Sequence, residues 1–236
     1  MKIRRLSEID LARIAPLEAN EKRYRLRQLK SGRPPHSYNP FRASLGDILN
    51  LQPEMFDGGG YTPWSQIATD IEKRAKSDDE LQFNLAVAEA LYNYGVEQDA
   101  RSYRKPIAPW AVGYGQSVSY WWNLYTVIES QASFVFVDPR ISNPLTRLAR
   151  KFALSMMHER IRVPDPDFAE ARLLVAQFGK SDEGRRTIKL FEETELFSFD
   201  QLNEMIDEAY KLWIEVLEER VEEARRKSAG TTPFGF

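Results

Sequence analysis

Residues 118–138, VSYWWNLYTVIESQASFVFVD, carry the densest run of β-branched and aromatic side chains in this chain of 236 residues. Such residues favour strands, and a few polar positions divide the run into two parts. We predict a hairpin with strands over 118–128 and 133–138. Both faces of these strands are apolar or aromatic, so we expect them to lie at the centre of a sheet that is covered on both sides.

The sequence around this hairpin predicts helices and a second hairpin. Helices are expected over 65–76, 78–94, about 144–161, and 198–226, where Ser198 and Gln201 fit a capping box. The second hairpin is expected over 168–178 and 185–193, and residues 95–117 are assigned to a loop. The predicted fold is α+β, with a central, mostly antiparallel sheet of about four strands and a long C-terminal helix.

The N-terminal part has a different character from the rest. Residues 7–30 are predicted to be helical, and the proline-rich stretch SGRPPHSYNPF is expected to be an extended connector. The glycine-rich stretch DGGGYTP at 57–63 is the best candidate boundary. We therefore predict a basic N-terminal appendage over 1–57, an α+β body over 61–227 and a flexible C-terminal tail over 228–236.

Composition excludes several kinds of protein. No run approaches the roughly 18 apolar residues of a membrane-spanning helix, and the sequence MKIRRLSEID lacks the apolar stretch of a secretory signal. Cysteine is absent, which excludes disulfides, thiolate metal sites and a cysteine nucleophile. We expect a cytoplasmic protein that does not enter a membrane.

The charge is distributed unevenly. Residues 1–43 hold eleven Lys or Arg and four acidic residues, a net charge of +7, whereas the remainder has a net charge of −9. This asymmetry predicts either an anionic partner for the basic part or a contact between the two parts of the chain.

A basic stripe is expected on the helix that contains LTRLARKFALSMMHERIRV. At 100° per residue, four basic side chains fall within about 60° of one another. They are Arg147, Lys151, His158 and Arg162. The stripe is interpreted either as a row of phosphate contacts or as a solvated helix face.

The N-terminal basic segment gives a second candidate surface. Its cations alternate with Tyr24, His36, Tyr38 and Phe41, a mixture that serves phosphate attraction and base stacking. The candidate nucleic-acid-binding residues here are Arg23, Arg25, Arg27, Lys30 and Arg33. The same composition also suits an arm that lies on an acidic protein surface, including the surface of this protein.

Evidence for catalysis in the sequence is sparse. No phosphate-binding GxxxxGK[ST] loop is present, and two histidines are too few for a histidine-rich metal site. Asp138, at the end of a strand, with Glu129 and Glu170 could hold Mg²⁺ or Mn²⁺. In its order of helices and strands the chain resembles the restriction-endonuclease-like nucleases, although Arg140 stands where that family's E-x-K motif has lysine.

From these patterns we predict a non-enzymatic interaction module, without a cofactor or resident metal, that contacts an anionic partner, most plausibly nucleic acid. Two alternatives remain open. One is a metal-dependent nuclease that uses the sheet carboxylates. The other is a purely protein-binding subunit of a larger complex, with self-association or partner binding through the C-terminal helix.

Overall fold

A computed structural model of the chain describes residues 4–29, 37–53, 60–180 and 186–229. The helices within these residues are α1 (Glu8–Ile14), α2 (Ala19–Gln28), α3 (Asn39–Ala43), α4 (Leu45–Ile48), α5 (Trp64–Arg74), α6 (Asp78–Glu97), α7 (Arg147–Met157) and α8 (Phe199–Ala229). The strands are β1 (Arg101–Arg104), β2 (Trp110–Gly113), β3 (Gln116–Val118), β4 (Leu124–Ile128), β5 (Gln131–Asp138), β6 (Arg172–Lys180) and β7 (Arg186–Phe191). The predicted α+β class and the long C-terminal helix are confirmed.

The main sheet has five strands in the order β1-β4-β5-β6-β7. All neighbouring pairs are antiparallel except β5 and β6, which run parallel in register from Ser133↔Arg172 to Asp138↔Gln177. A parallel pair needs a crossover, and α7 provides it. The sheet is therefore mostly antiparallel as predicted, with five strands instead of four.

The predicted central hairpin exists, but its first strand is shorter than expected. β4 begins at Leu124, and the earlier residues 116–118 pair with β2 in a separate two-stranded sheet. The β4–β5 turn consists of Glu129 and Ser130, which both have positive φ (52° and 64°), as two-residue hairpin turns commonly require. The prediction of a loop over 95–117 is wrong, because β1, β2 and the start of β3 lie there.

Helices cover both faces of the sheet. Alternate side chains of β5 point to opposite sides, so Phe134 and Phe136 join one buried cluster while Val135 and Val137 join the other. The first cluster contains side chains of α1, α2, α7 and α8. The second contains side chains of α3 to α6. The sheet is thus the middle of three layers, and the covering of both faces expected for its central strands is confirmed.

The N-terminal region is built into the first cluster. Instead of one helix over 7–30, the chain forms α1 and α2, because Pro16 lacks the backbone N–H that would continue the first helix. Leu11 and Leu26, one from each helix, are fully buried in the cluster that covers the sheet. The boundary at residue 57 lies outside the described residues, and the predicted division into appendage, body and tail stays a prediction.

The two later helical predictions are close to the structure. Ser198 and Gln201 form the expected capping box, since each backbone N–H donates to the other side chain, at 2.9 and 3.3 Å. The helix predicted over 144–161 begins at Arg147 and is α-helical to Met157, after which His158–Arg162 form a π-helical turn. The second hairpin is confirmed as β6 and β7. In the part of the chain that the structure describes, every helix is too short or too polar to cross a membrane.

Candidate functional site

A cleft with a volume of about 1030 Å³ lies beside the carboxyl ends of the two parallel strands. Residues that follow β5 and the last residue of β6 line it, together with side chains from both helical layers. Crevices at the carboxyl ends of parallel strands are common ligand sites in α/β sheets, because the helices diverge there. The position makes this cleft the first candidate for a binding site.

The cleft is strongly cationic. Its six basic side chains come from separate parts of the chain, and they are Arg4, Arg5, Arg42, Arg140, Lys180 and Arg186. Among the described lining residues, one carboxylate, that of Asp10, is present. A concave surface lined by one sign of charge concentrates the field and attracts ligands of opposite sign. The cleft therefore favours an anionic ligand.

Arg140 is held at the cleft by a buried carboxylate. Its Nε donates to Asp138 Oδ1 at 2.9 Å, and Asp138 is fully buried. The other oxygen of Asp138 accepts the Leu145 N–H at 2.9 Å and the Gln177 side chain at 3.4 Å. Arg140 Nη2 is buried and has no hydrogen-bond partner among the described residues. Asp138 thus positions an arginine whose donors are not all satisfied internally.

A second arginine lies close behind this pair. Arg13, on α1, also has a buried Nη2 atom without a partner in the described part of the chain. Burial lowers the pKa of Arg13, and the nearby positive charge of Arg140 lowers it further, while Asp138 opposes both effects. Arg13 and Arg140 thus place two guanidinium groups near the buried carboxylate of Asp138.

The walls of the cleft are largely apolar. Trp213, Leu6 and Ile9 come from the first helical layer, and Phe83 and Tyr38 come from the second. The Trp213 indole N–H donates to the Arg4 carbonyl at 2.7 Å, which fixes the segment before α1 at the rim. A ligand in this cleft would meet both cations and apolar surface.

The wall formed by α3 is anchored to α6 through Glu80. Its Oε1 accepts the Ser37 N–H at 3.0 Å and the Ser37 hydroxyl at 2.7 Å, and its Oε2 accepts the Lys76 N–H at 2.8 Å. These hydrogen bonds, first of all the one from the Ser37 hydroxyl, lower the pKa of Glu80. The carboxylate therefore stabilises the wall, and both of its oxygens accept hydrogen bonds from neutral donors.

The predicted nucleic-acid-binding residues of the N-terminal segment lie elsewhere, on α2. Arg23 and Arg27 contact Glu219 of α8 at 3.0 and 2.9 Å, and Arg23 also pairs with Glu215. Arg25 pairs with Glu21 on its own helix at 3.4 Å. Lys30 and Arg33 lie outside the described residues. The cations of α2 are therefore engaged by carboxylates, as the alternative of a contact between the two parts of the chain predicts.

Lys22 extends the same contact into the interior. It is almost fully buried, and its ammonium group pairs with Glu208 of α8, which is about half exposed. From the other side, Arg220 of α8 donates to the carbonyls of Leu26 and Leu29 at 3.2 and 2.7 Å, near the end of α2. These charged contacts join the basic N-terminal part to the acidic C-terminal helix.

Two residues of the predicted basic stripe on α7, Arg147 and Lys151, also lie beside carboxylates. Arg147 Nε lies 3.3 Å from Glu193, and Lys151 Nζ lies 3.9 Å from Glu195 and 4.5 Å from the ring centre of Phe197. Arg162 donates to the Ala171 carbonyl at 2.7 Å. His158 and Arg162 belong to the π-helical turn, so the α-helical spacing that defined the stripe ends before them.

The three candidate metal-binding carboxylates are not brought together. Glu129 and Glu170 lie near the amino ends of β5 and β6, whereas Asp138 ends β5, roughly 23 Å further along the strand. Glu129 is 71% exposed and lies 3.7 Å from Arg172. Within the described ranges, no group of three or more His, Cys, Asp or Glu could hold a metal ion. The Mg²⁺ or Mn²⁺ expectation stays a prediction.

Sequence reasoning missed the cleft residues as a group. The excess of cations in residues 1–43 included Arg4, Arg5 and Arg42, but the pattern drew attention to α2 instead. Arg140 was noticed only as a departure from a nuclease motif. Lys180 and Arg186 carry no local signal, because only the pairing of β6 with β7 places them beside the others.

Two comparisons with known proteins identify relatives. A family described as "Sliding clamp-binding bacterial toxin SocB" matches residues 9–223. The chain is 35% identical over 232 residues to a protein of Caulobacter vibrioides (strain NA1000 / CB15N) named "DNA replication inhibitor toxin SocB", and the match covers 98% of this chain and 97% of the relative. No solved structure matches significantly.

These matches correct the main functional prediction. A module for nucleic acid was expected, whereas the matching family is described by its binding to a protein, the sliding clamp. The physical reason for the error is visible in the structure. The basic residues that suggested phosphate contacts, among them Arg23, Arg27, Arg147 and Lys151, lie beside carboxylates of the same chain. The alternative of a protein-binding chain fits the matches better.

Proposed function

This chain belongs to the SocB family of sliding clamp-binding bacterial toxins, and we propose that it is itself a toxin that inhibits DNA replication by binding the sliding clamp. The proposal replaces nucleic acid with a protein as the partner. It also places the protein in the cytoplasm, where the clamp works.

The extent of the match carries the proposal. Residues 9–223 run from α1 to α8, so the matched region includes the whole sheet and both helical layers. A match confined to one motif would indicate only a shared local feature. A match over a complete fold indicates that the arrangement of the surfaces is shared as well. The similarity to the Caulobacter vibrioides toxin likewise covers both chains almost completely.

The internal ion pairs support a protein partner over a nucleic acid. Phosphate binding gains free energy when cations release the counterions of the nucleic acid. Arg23 and Arg27 would first have to leave Glu219, and Arg147 would have to leave Glu193, so part of this gain would be lost. Association with a protein that keeps these pairs intact carries no such cost.

Direct binding tests the proposal. The full-length chain is immobilised, and a purified bacterial sliding clamp and a DNA duplex are passed over it in separate runs at the same salt concentration. We expect saturable binding of the clamp and little retention of the duplex. Retention of the duplex without the clamp would contradict the proposal and return nucleic acid as the partner.

A further inference from the structure

The cleft at the carboxyl ends of β5 and β6 differs from the rest of the surface in its balance of charge. Six cations line it with one carboxylate among the described lining residues, although Arg5 also pairs with Glu8 at the start of α1 and Arg140 pairs with the buried Asp138. The contacts of two others are with neutral groups. Arg42 lies 5.8 Å from the ring centre of Trp122, and Arg186 donates to the Pro139 carbonyl at 2.9 Å. Since Arg5 and Arg140 are ion-paired, the positive charge without a carboxylate partner among the described residues comes from Arg42, Lys180 and Arg186.

The source of the charge determines the shape of the ligand. Residues before α1, in α3, after β5, and at the ends of β6 and β7 each contribute cations. Cations from five segments are spread along the cleft, an arrangement that suits an extended ligand. In a phosphate loop, by contrast, successive backbone N–H groups converge on one anion. The sequence has no glycine-rich loop of that type.

The apolar walls restrict the ligand further. Phe83 is 39% exposed, which is high for a phenylalanine, and it lines the cleft together with Tyr38 on the same side. Trp213 and Leu6 lie on the opposite side. Exposed aromatic groups in a cleft are typical anchors for protein partners. A volume of about 1030 Å³ is also at the upper limit of small-molecule sites.

We propose that this cleft binds an acidic peptide segment of a protein partner, one in which carboxylates alternate with apolar side chains. The arginines would engage the carboxylates, for which a guanidinium offers two parallel N–H donors. Arg140 lines the cleft with its orientation fixed by Asp138, which accepts from its Nε. The apolar side chains would pack against Phe83 and Tyr38. This proposal does not rest on clamp binding, so either proposal can fail alone.

A labelled peptide provides the probe. Fluorescence anisotropy is measured with the full-length chain and a peptide in which glutamate alternates with leucine. Two control peptides replace every glutamate with glutamine or every leucine with serine. We expect the first peptide to bind more tightly than either control, with an affinity that falls as salt rises, since the carboxylates and the apolar groups both contribute.

Charge reversal locates the binding. Arg42 and Lys180 are exposed residues of the cleft, so Arg42→Glu with Lys180→Glu should leave the fold intact. The matched control reverses two exposed cations outside the cleft, Lys73 and Arg101, and changes the net charge equally. We expect the cleft variant to bind the acidic peptide at least about tenfold more weakly and the control to stay within about twofold of the wild type.

Each other outcome contradicts the proposal. Equal loss in both double variants would show that the peptide responds to net charge and not to the cleft. Binding of ATP or inorganic phosphate to the chain, without binding of the peptide, would identify a small-anion site instead. Tighter binding of a single-stranded oligonucleotide than of the peptide, lost in the cleft variant, would assign the cleft to nucleic acid. Circular dichroism melting of each variant checks that the fold is retained.

Discussion

Cations occupy two regions of this molecule and have different surroundings in each. At the α2–α8 contact, Lys22, Arg23 and Arg27 face three glutamates of the C-terminal helix. At the cleft, the described lining residues include six basic side chains and one carboxylate. In the first region, the cations pair with glutamates and so hold the N-terminal helices to the acidic C-terminal helix. In the second region, Arg42, Lys180 and Arg186 have no carboxylate partner among the described residues.

The difference shows why a count of charges along the sequence misleads. Both regions draw on the same basic segment, residues 1–43, with its net charge of +7. Which cations are matched depends on the partners that folding places beside them, and those partners are about 190 residues away in sequence. Burial and pairing, and not composition, separate a structural cation from a binding one.

The largest expected effect comes from removing the first region entirely. Deleting residues 1–43 takes away Leu11 and Leu26, which are fully buried in the cluster beneath the sheet, and exposes the apolar side of α8. We expect the truncated chain to lose its cooperative thermal transition and to aggregate. A soluble chain that melts cooperatively near the wild-type temperature would show instead that these residues form a separable appendage.

A point variant calibrates that result. Leu11→Ala removes one fully buried side chain and leaves a cavity, so we expect a loss of about 2–5 kcal/mol in the free energy of unfolding. Urea unfolding measures it. A loss below about 0.5 kcal/mol would contradict the placement of α1 in the core.

The pair of Lys22 and Glu208 gives the next largest effect, and the two partners should differ. Glu208→Gln leaves a buried ammonium group without its carboxylate, so we expect a loss of about 1–3 kcal/mol. Lys22→Met keeps the buried stem and frees a carboxylate that is already half exposed, so it should cost less. Urea unfolding of both variants checks the order, and a larger loss in Lys22→Met would contradict it.

The central layer of the fold was predictable because its signals are local. The residues of β5 alternate between two buried clusters, and their β-branched and aromatic composition marks a strand covered on both sides. The capping box at Ser198 and Gln201 is also a local pattern. By contrast, β1 and β2 are four residues long and lie in a segment rich in Gly and Pro, so only their pairing with distant residues defines them.

The site was not predictable from the sequence for the same reason. Asp138 was predicted only as a candidate metal ligand, and its role as a buried acceptor that holds Arg140 at the cleft was not foreseen. Neither residue has a neighbour in sequence that reveals this role. The Leu145 N–H and the Gln177 side chain, which complete the surroundings of Asp138, come from different elements.

A smaller, pH-dependent effect is expected from Glu80 at the wall of the cleft. Its pKa is lowered in the folded protein from the ordinary value of 4.5, so its contribution to stability is present above that value and is lost as the pH falls through the lowered pKa. Glu80→Gln would remove this contribution at neutral pH, because an amide N–H₂ would face the Lys76 N–H. Thermal melting from pH 7 downward checks this, and the variant should depend less on pH below about 4.5.

The smallest effect is expected at the exposed edge of the α2–α8 contact. Glu219 is 40% exposed and binds Arg23 and Arg27, so Glu219→Gln should cost no more than about 1 kcal/mol, and less at high salt. Urea unfolding at two salt concentrations measures it. A cost as large as that of Glu208→Gln would show that burial does not decide how much these pairs contribute.

Clamp-dependent DNA synthesis tests the central claim, that this chain inhibits replication by binding the clamp and not by binding DNA. A primed template is extended by a bacterial polymerase with its clamp and clamp loader, in the presence of the full-length chain at an inhibitory concentration. We predict that added clamp restores synthesis in proportion to its amount, whereas added unprimed DNA does not. Restoration by DNA and not by clamp would contradict the account.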